Sequence, residues 1–396
     1  YNAIVWQDRR TSAYCSEIAT ENNQSLVKEK TGLLIDSYFS ATKIKWILDN
    51  VEGVRSRAEA GELCFGTVDT YLMYRLSEGK IFKTDITNAS RTMLFNINKN
   101  NWDNEILKIF KINKNILPVV KNSADDFGYT SKKVIGEKIP ISGVLGDQQA
   151  AAFGQACFEK GSVKSTYGTG AFVIMNTGNK KLISKNKLLT TICYRLNNKN
   201  TFALEGSIFV AGAGVQWLRD KIGLINNANE TEKIVKSKEN NDGVYIVPAF
   251  TGLGAPYWSS SSRGLITGLT RNSDWKDLVR AIIESVAYQS YDLFESMRKD
   301  GLKPKIVKVD GGMVTNNWFS QFLSNIIDTK VIRPKVKETT ALGVAFMAGL
   351  KIGVYKSLSD ISNYWKIDKK FTPKISKSNR TKLLKGWQQA IRKTLV

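Results

Sequence analysis

Strand-like and helix-like segments alternate along all 396 residues, and this alternation argues for an α/β fold. A chain of that length exceeds one ordinary core, so two domains are expected. Thr67 is placed to cap a helix with Val68, Leu72 and Leu76 on one face, closed by Gly79. Residues 102–112 read as a helix with Ile106, Leu107 and Phe110 inward, and the Ala-rich residues 147–160 as another, ending at Gly161. Residues 163–176 fit a strand pair folded at Gly168-Thr169-Gly170. Residues 244–247 read as a buried strand. Asp274 opens a long helix with Leu278, Ala281, Ile282 and Val286 at helical spacing. Residues 306–309 form a strand that runs into Asp310-Gly311-Gly312, followed by a helix with Trp318, Phe322 and Ile326 on one stripe. The small residues of 340–350 suit close helix packing, and the last helix carries Leu383, Leu384, Trp387 and Ile391. The natural boundary lies just before Gly161, dividing the chain into units 1–155 and 156–396, with a ligand cleft expected between them.

Several chemistries are excluded by what the chain contains. It has no histidine, so no His base, Ser-His-Asp triad or His-ligated zinc can operate, and a carboxylate becomes the expected proton acceptor. The four cysteines, Cys15, Cys64, Cys157 and Cys193, fit no metal-binding spacing and suggest unpaired thiols in a reducing, cytoplasmic setting. No apolar run approaches the length of a membrane span, and the opening residues through Trp6 do not read as a signal peptide. The net charge of +22 would suit nucleic acid, but the basic residues are spread along the chain without interleaved stacking aromatics, so no nucleic-acid partner is expected. The same positive field would attract ATP.

Four constellations carry candidate chemistry. Gly146-Asp147-Gln148-Gln149 sets a carboxylate and an amide at a helix start after an apolar run. Phosphoryl transfer needs such a group to accept a hydroxyl proton, although an Asp there also serves as a plain N-cap. Ser165-Thr166-Tyr167-Gly168-Thr169-Gly170 offers backbone N–H groups for an anion, or is an ordinary hairpin turn. Asp310-Gly311-Gly312 with Asn316-Asn317 lets backbone approach a nucleotide, or makes a tight strand-helix crossing. Ala211-Gly212-Ala213-Gly214-Val215-Gln216 could lie flat against a base, or allow close helix packing. Together they suggest an ATP-dependent transferase.

Longer runs carry a resemblance. Trp6-Gln7-Asp8-Arg9-Arg10-Thr11, Tyr38-Phe39-Ser40-Ala41-Thr42-Lys43, Thr87-Asn88-Ala89-Ser90-Arg91-Thr92, Gly146-Asp147-Gln148-Gln149 and Pro248-Ala249-Phe250-Thr251-Gly252-Leu253-Gly254-Ala255-Pro256-Tyr257-Trp258 resemble the FGGY carbohydrate kinases, the glycerol kinases in particular. Residues 38–50 and 264–284 look like the family's two signature regions. The resemblance implies an actin-like ATPase (ribonuclease H-like) fold with two α/β domains around an ATP cleft. It implies ATP and Mg²⁺ as cofactors and glycerol as acceptor. Asp147 would be the catalytic base and would also face the metal. Gln148 and Tyr38 would bind hydroxyls, and Trp6 and Phe172 would sandwich the apolar edge of glycerol. Thr169, Gly212, Gln216, Gly312 and Asn316 would bind nucleotide. A homo-oligomer, dimer or tetramer, is the family's usual assembly. The rival readings are another sugar or polyol kinase of the family, or an inactive basic binding protein.

Two departures bear on this expectation. The family's opening β-hairpin, with Asp-Gln-Gly-Thr-Thr, and its glycerol-binding Arg-Glu pair do not occur in this sequence. It is therefore expected to lack the family's N-terminal segment. Trp258 is followed by four serines where the family has Asp and Pro, which reads as loop drift.

Overall fold

The structure, a computed structural model, describes residues 1–395. A seven-stranded mixed sheet organises everything after residue 162. Its spatial order is Ile367–Phe371, Lys330–Pro334, Ile306–Asp310, Val163–Tyr167, Ala171–Gly178, Lys199–Ile208 and Leu189–Leu196. Ile306–Asp310 runs parallel to both neighbours, placing Asp310 opposite Thr166, and the other pairings are antiparallel. The long helix Trp275–Lys299 covers one face, with Val279, Ile282, Ile283, Val286, Leu293 and Phe294 in the larger core. Its start is a reciprocal capping box between Asp274 and Asp277, which satisfies N–H groups the helix would leave orphaned.

The residues before 155 hold no sheet larger than a strand pair: Lys83–Asp85 with Val119–Lys121, Phe95–Asn96 with Asn101–Trp102, and Ala124–Tyr129 with Pro140–Gly143. A second core of Phe39, Ile44, Ile86, Phe95, Ile106 and Phe110 joins their helices, and it includes Leu189, Ile192 and Phe202 from the large sheet. The two halves thus share apolar packing. They also share a close crossing, where the Thr190 N–H donates to the Gly32 carbonyl at 2.8 Å and a Cβ at Gly32 would sit 2.3 Å from the Thr190 oxygen.

Several helices differ from the sequence-based expectation. Val68–Leu76 buries Thr70 and Met73 rather than the stripe of Val68 and Leu72, which are 72% and 50% exposed. Met73 packs with Ile81, Phe127 and Val144, so the stripe with a partner wins over the more apolar one. The helix expected over 102–112 is Asn104–Ile109, with Trp102 in a strand pair, although Ile106, Leu107 and Phe110 do face inward. The helix expected over 147–160 stops at Gly154. There it crosses Thr339–Lys351 so closely that a Cβ at Gly154 would lie 2.0 Å from the Thr339 carbonyl oxygen, and Ala156 turns to φ +48. The serines after Trp258 are bonded, not loose: Ser259 and Leu253 exchange backbone hydrogen bonds, and the Ser262 hydroxyl donates to the Thr394 carbonyl at 3.2 Å.

Candidate active site

Asp147 is the first residue of Asp147–Gly154 and does not cap it, because Gly146 holds the cap position and no side chain caps there. The exposed Asp147 carboxylate instead accepts from its neighbour: Gln148 N–H to Oδ1 at 2.8 Å and the Gln148 amide N–H to Oδ2 at 3.0 Å. The Gln148 amide oxygen in turn accepts from Lys164, a lysine buried on the central strand Val163–Tyr167. Gly146 N–H donates to the Thr87 hydroxyl at 2.8 Å, tying this helix start to the first half of the chain.

Beside it lies an aromatic cluster drawn from both halves. Trp6 meets Tyr38 edge-on at 5.5 Å between ring centroids, Phe172 at 5.7 Å and Phe209 at 6.1 Å. Tyr38 also stacks on Phe209 at 6.4 Å. Trp6 and Phe172 thus touch each other directly, whereas the expected sandwich needs a substrate-wide slot between them. Arg9 lies over the Phe209 ring at 4.8 Å and donates to Asp36 and to Ser37, each at 3.1 Å.

Under the cluster runs a buried ionic layer. Arg91 donates to Glu205 at 2.8 Å, and Glu205 is 1% exposed. Burial raises the Glu205 pKa, opposed by Arg91 and Lys164. The Arg91 guanidinium lies over Tyr38 at 5.7 Å and over Phe39 at 5.3 Å. Burial and the Glu205 charge push the Tyr38 hydroxyl up to about 12, so it stays a neutral donor at physiological pH. One guanidinium nitrogen of Arg91 and one oxygen of Glu205 are buried without partners. Asp147 is near enough to act electrostatically on Tyr38, Arg91, Lys164 and Glu205.

The glycine motifs converge on the second half. The backbone N–H groups of Ala211 and Ala213 donate to the Thr169 carbonyl at 2.9 and 3.0 Å, and that of Gly212 to the Gly168 carbonyl at 2.8 Å. A Cβ on Gly212 would stand 2.6 Å from the Gly168 oxygen, and one on Gly311 2.5 Å from the Tyr167 oxygen, so these crossings require glycine. A Cβ on Gly312 would meet open space. The protein itself therefore does not demand glycine there, and the room suits a ligand. Thr169 and Gln216 are exposed. Asn316 caps Asn317–Ile327 by accepting from the Phe319 N–H at 3.0 Å, while its amide donates to Thr231 at 3.3 Å. Asp310 plays a structural part, accepting from Gln155 and Thr339 at 2.7 Å each.

Phe209, Arg91, Glu205 and Lys164 had no assigned role in the sequence reading. The signal was faint: Lys164 and Glu205 lie in stretches rich in strand-forming residues, and a charge buried on a strand must find a partner.

Among the described residues no three metal-type side chains gather. Mg²⁺ bound to a nucleotide typically takes only one or two carboxylates, keeping water and phosphate as its other ligands. Asp147, exposed and bonded only to Gln148, fits that modest demand. A groove of about 920 Å³ lies elsewhere, lined by Lys45, Asp49, Arg55, Lys108 and Lys111, and none of the site residues borders it.

Residues 1–154 match the FGGY family of carbohydrate kinases, N-terminal domain, and residues 163–352 its C-terminal domain. Over 391 residues the chain is 55% identical to "Glycerol kinase 1" of Pseudomonas aeruginosa, covering 99% of this chain and 79% of that protein. The crystal structure of Plasmodium falciparum glycerol kinase with ADP superposes with a TM-score of 0.91 at 41% identity, covering 100% of this chain and 79% of that one. Ligand-bound xylulose kinase from Lactobacillus acidophilus shares the fold, with a TM-score of 0.85 at 20% identity over 99% of this chain and 79% of that one.

Proposed function

The chain belongs to the FGGY family of carbohydrate kinases, and we infer that it acts as a glycerol kinase, transferring the γ-phosphate of ATP to glycerol to give glycerol 3-phosphate and ADP. The carrying observation is that Asp147, bonded to Gln148, lies within electrostatic reach of Tyr38, which packs against Trp6 and Phe209, with Trp6 in turn meeting Phe172. Aromatic faces suit the CH groups of a polyol. Identity of 55% to a glycerol kinase supports the same substrate.

In this reading the Asp147 carboxylate takes the proton from a terminal hydroxyl of glycerol as that oxygen attacks the γ-phosphorus and ADP departs. Gln148 and Tyr38 hold the hydroxyls, and Trp6 and Phe172 part to admit the carbon edge. Thr169, Gly212, Gln216, Gly312 and Asn316 bind the nucleotide, with open space beside Gly312 to receive it. Asp147 would also hold Mg²⁺, which when bound neutralises phosphate charge. With a division at 1–155 and 156–396, the acceptor side would lie largely in the first unit and the nucleotide in the second. Four unpaired thiols suit the reducing cytoplasm.

The test is ADP release in the presence of glycerol, xylulose, gluconate or no acceptor. Glycerol alone should drive release above background. Equal or greater turnover with xylulose would assign a different acceptor, and release without acceptor would mark an ATPase.

A further inference from the structure

Lys164 has no part in the mechanism above, yet it is an ammonium with no exposed surface, on the central strand of the large sheet. Burying an ammonium costs several kcal/mol unless partners compensate, and a methionine would fill the same volume without that cost. Among the described residues its hydrogen bond is to the Gln148 amide oxygen. An ammonium can only donate, so it dictates which end of the Gln148 amide faces it. The oxygen must point to Lys164, and the NH₂ then points to Asp147, where it donates to Oδ2 at 3.0 Å. The Gln148 backbone N–H holds the other carboxylate oxygen at 2.8 Å. A chain of donors therefore runs from Lys164 through Gln148 to Asp147.

The anchor of this chain is rigid. Val163–Tyr167 is paired on both sides, with Lys164 opposite Lys308 and opposite Ile174. Burial lowers the Lys164 pKa, while Asp310, Asp147 and Glu205 act in the other direction.

We propose that Lys164 is a positioning residue for phosphoryl transfer: it fixes the Gln148 amide with its NH₂ toward Asp147, and so orients the carboxylate that takes the glycerol proton. The role in catalysis rests on the glycerol-kinase reading; the contact itself does not.

The full chain is labelled on glutamine, and the Gln148 amide signal is assigned by its loss in Gln148→Ala. In Lys164→Met that signal moves and exchanges with water faster. Turnover with glycerol falls by roughly 10- to 100-fold, the scale of a misplaced reacting group, while ADP affinity by calorimetry is unchanged. In the Gln148→Ala background, Lys164→Met adds no further loss, because both changes break the same chain. An unmoved amide signal, or losses that multiply in the double variant, overturns the proposal. Gln148→Met covers the case in which Lys164→Met does not fold. It leaves the buried ammonium without an acceptor, so the unfolding midpoint falls, and an unchanged or higher midpoint overturns the contact. A wild-type chain that binds ADP but phosphorylates only another acceptor refutes the glycerol reading, and the amide signal and midpoint still decide whether Lys164 orients Gln148.

Discussion

Asp147 bonds only its neighbour Gln148, which leaves carboxylate lone pairs for a substrate hydroxyl. Asp147→Asn keeps the shape but cannot accept the proton. Turnover should fall by ~10²–10⁴-fold while calorimetry still records ADP binding, and near-normal turnover would reduce Asp147 to a first-turn carboxylate. Trp6 and Phe172 touch across the two halves of the chain, and in the glycerol-kinase reading each becomes one apolar wall when substrate enters. Trp6→Ala and Phe172→Ala should each weaken glycerol binding by roughly 10- to 100-fold, the worth of one buried aromatic face, with ADP affinity unchanged. Equal losses for both ligands would identify the rings as general core. Asp147 and its amide neighbour Gln148 were legible from their place at a helix start, and Trp6, Tyr38 and Phe172 only through the resemblance to the family. Phe209 and the Arg91–Glu205 pair were not, since the latter are 114 positions apart and no local spacing relates them.

At the scale of elements, the active-site helix Asp147–Gly154 is set by its crossing with Thr339–Lys351. A Cβ at Gly343 would lie 1.8 Å from the Ala150 carbonyl oxygen, a backbone atom that cannot yield without moving the helix. Gly343→Ala should therefore lower stability by about 1–3 kcal/mol and also lower turnover, because the displaced helix carries Asp147. A thermal melt and a rate measurement together check this; a variant with wild-type midpoint would mean that the crossing relaxes freely. The small residues of this second helix were legible in the sequence as a sign of close packing. The early end of its partner at Gly154 was not, because the small-residue pattern runs on to Ala156. Val68–Leu76 failed for a related reason: helical periodicity finds stripes, and only the neighbours decide which stripe is covered.

At the scale of the whole molecule, Asp292 joins three distant segments. Its Oδ2 accepts from the Trp387 indole at 2.8 Å and the Tyr257 hydroxyl at 2.9 Å, linking the long helix to the last helix and to the loop that ends at Trp258. Burial raises its pKa from 3.8 to about 7, against the lowering effect of those two donors. The neutral form is thus favoured by folding, and this contribution is complete below about 4 and lost as pH rises through 7. The melting temperature of Asp292→Asn minus that of wild type should therefore grow from pH 5 to pH 8, by a few degrees in total. A difference that stays flat over that range would show that Asp292 is ionised in the folded chain. The trans-acting charges of Arg91, Glu205 and Lys164 belong to this scale too, since each meets its partner only when the two halves pack.

The sequence alone determined the α/β alternation, the glycine turns at 168–170 and 311–312, and a carboxylate at a helix start that can accept a proton. These are local properties, written in spacings of two to four residues and in what glycine permits. The tertiary structure decided which helix stripes are covered, where the helix after Asp147 stops, and which buried charges meet. Those outcomes depend on sheet order, on apolar packing between the halves, and on backbone approaching backbone across long stretches of chain, and no short pattern encodes such distances.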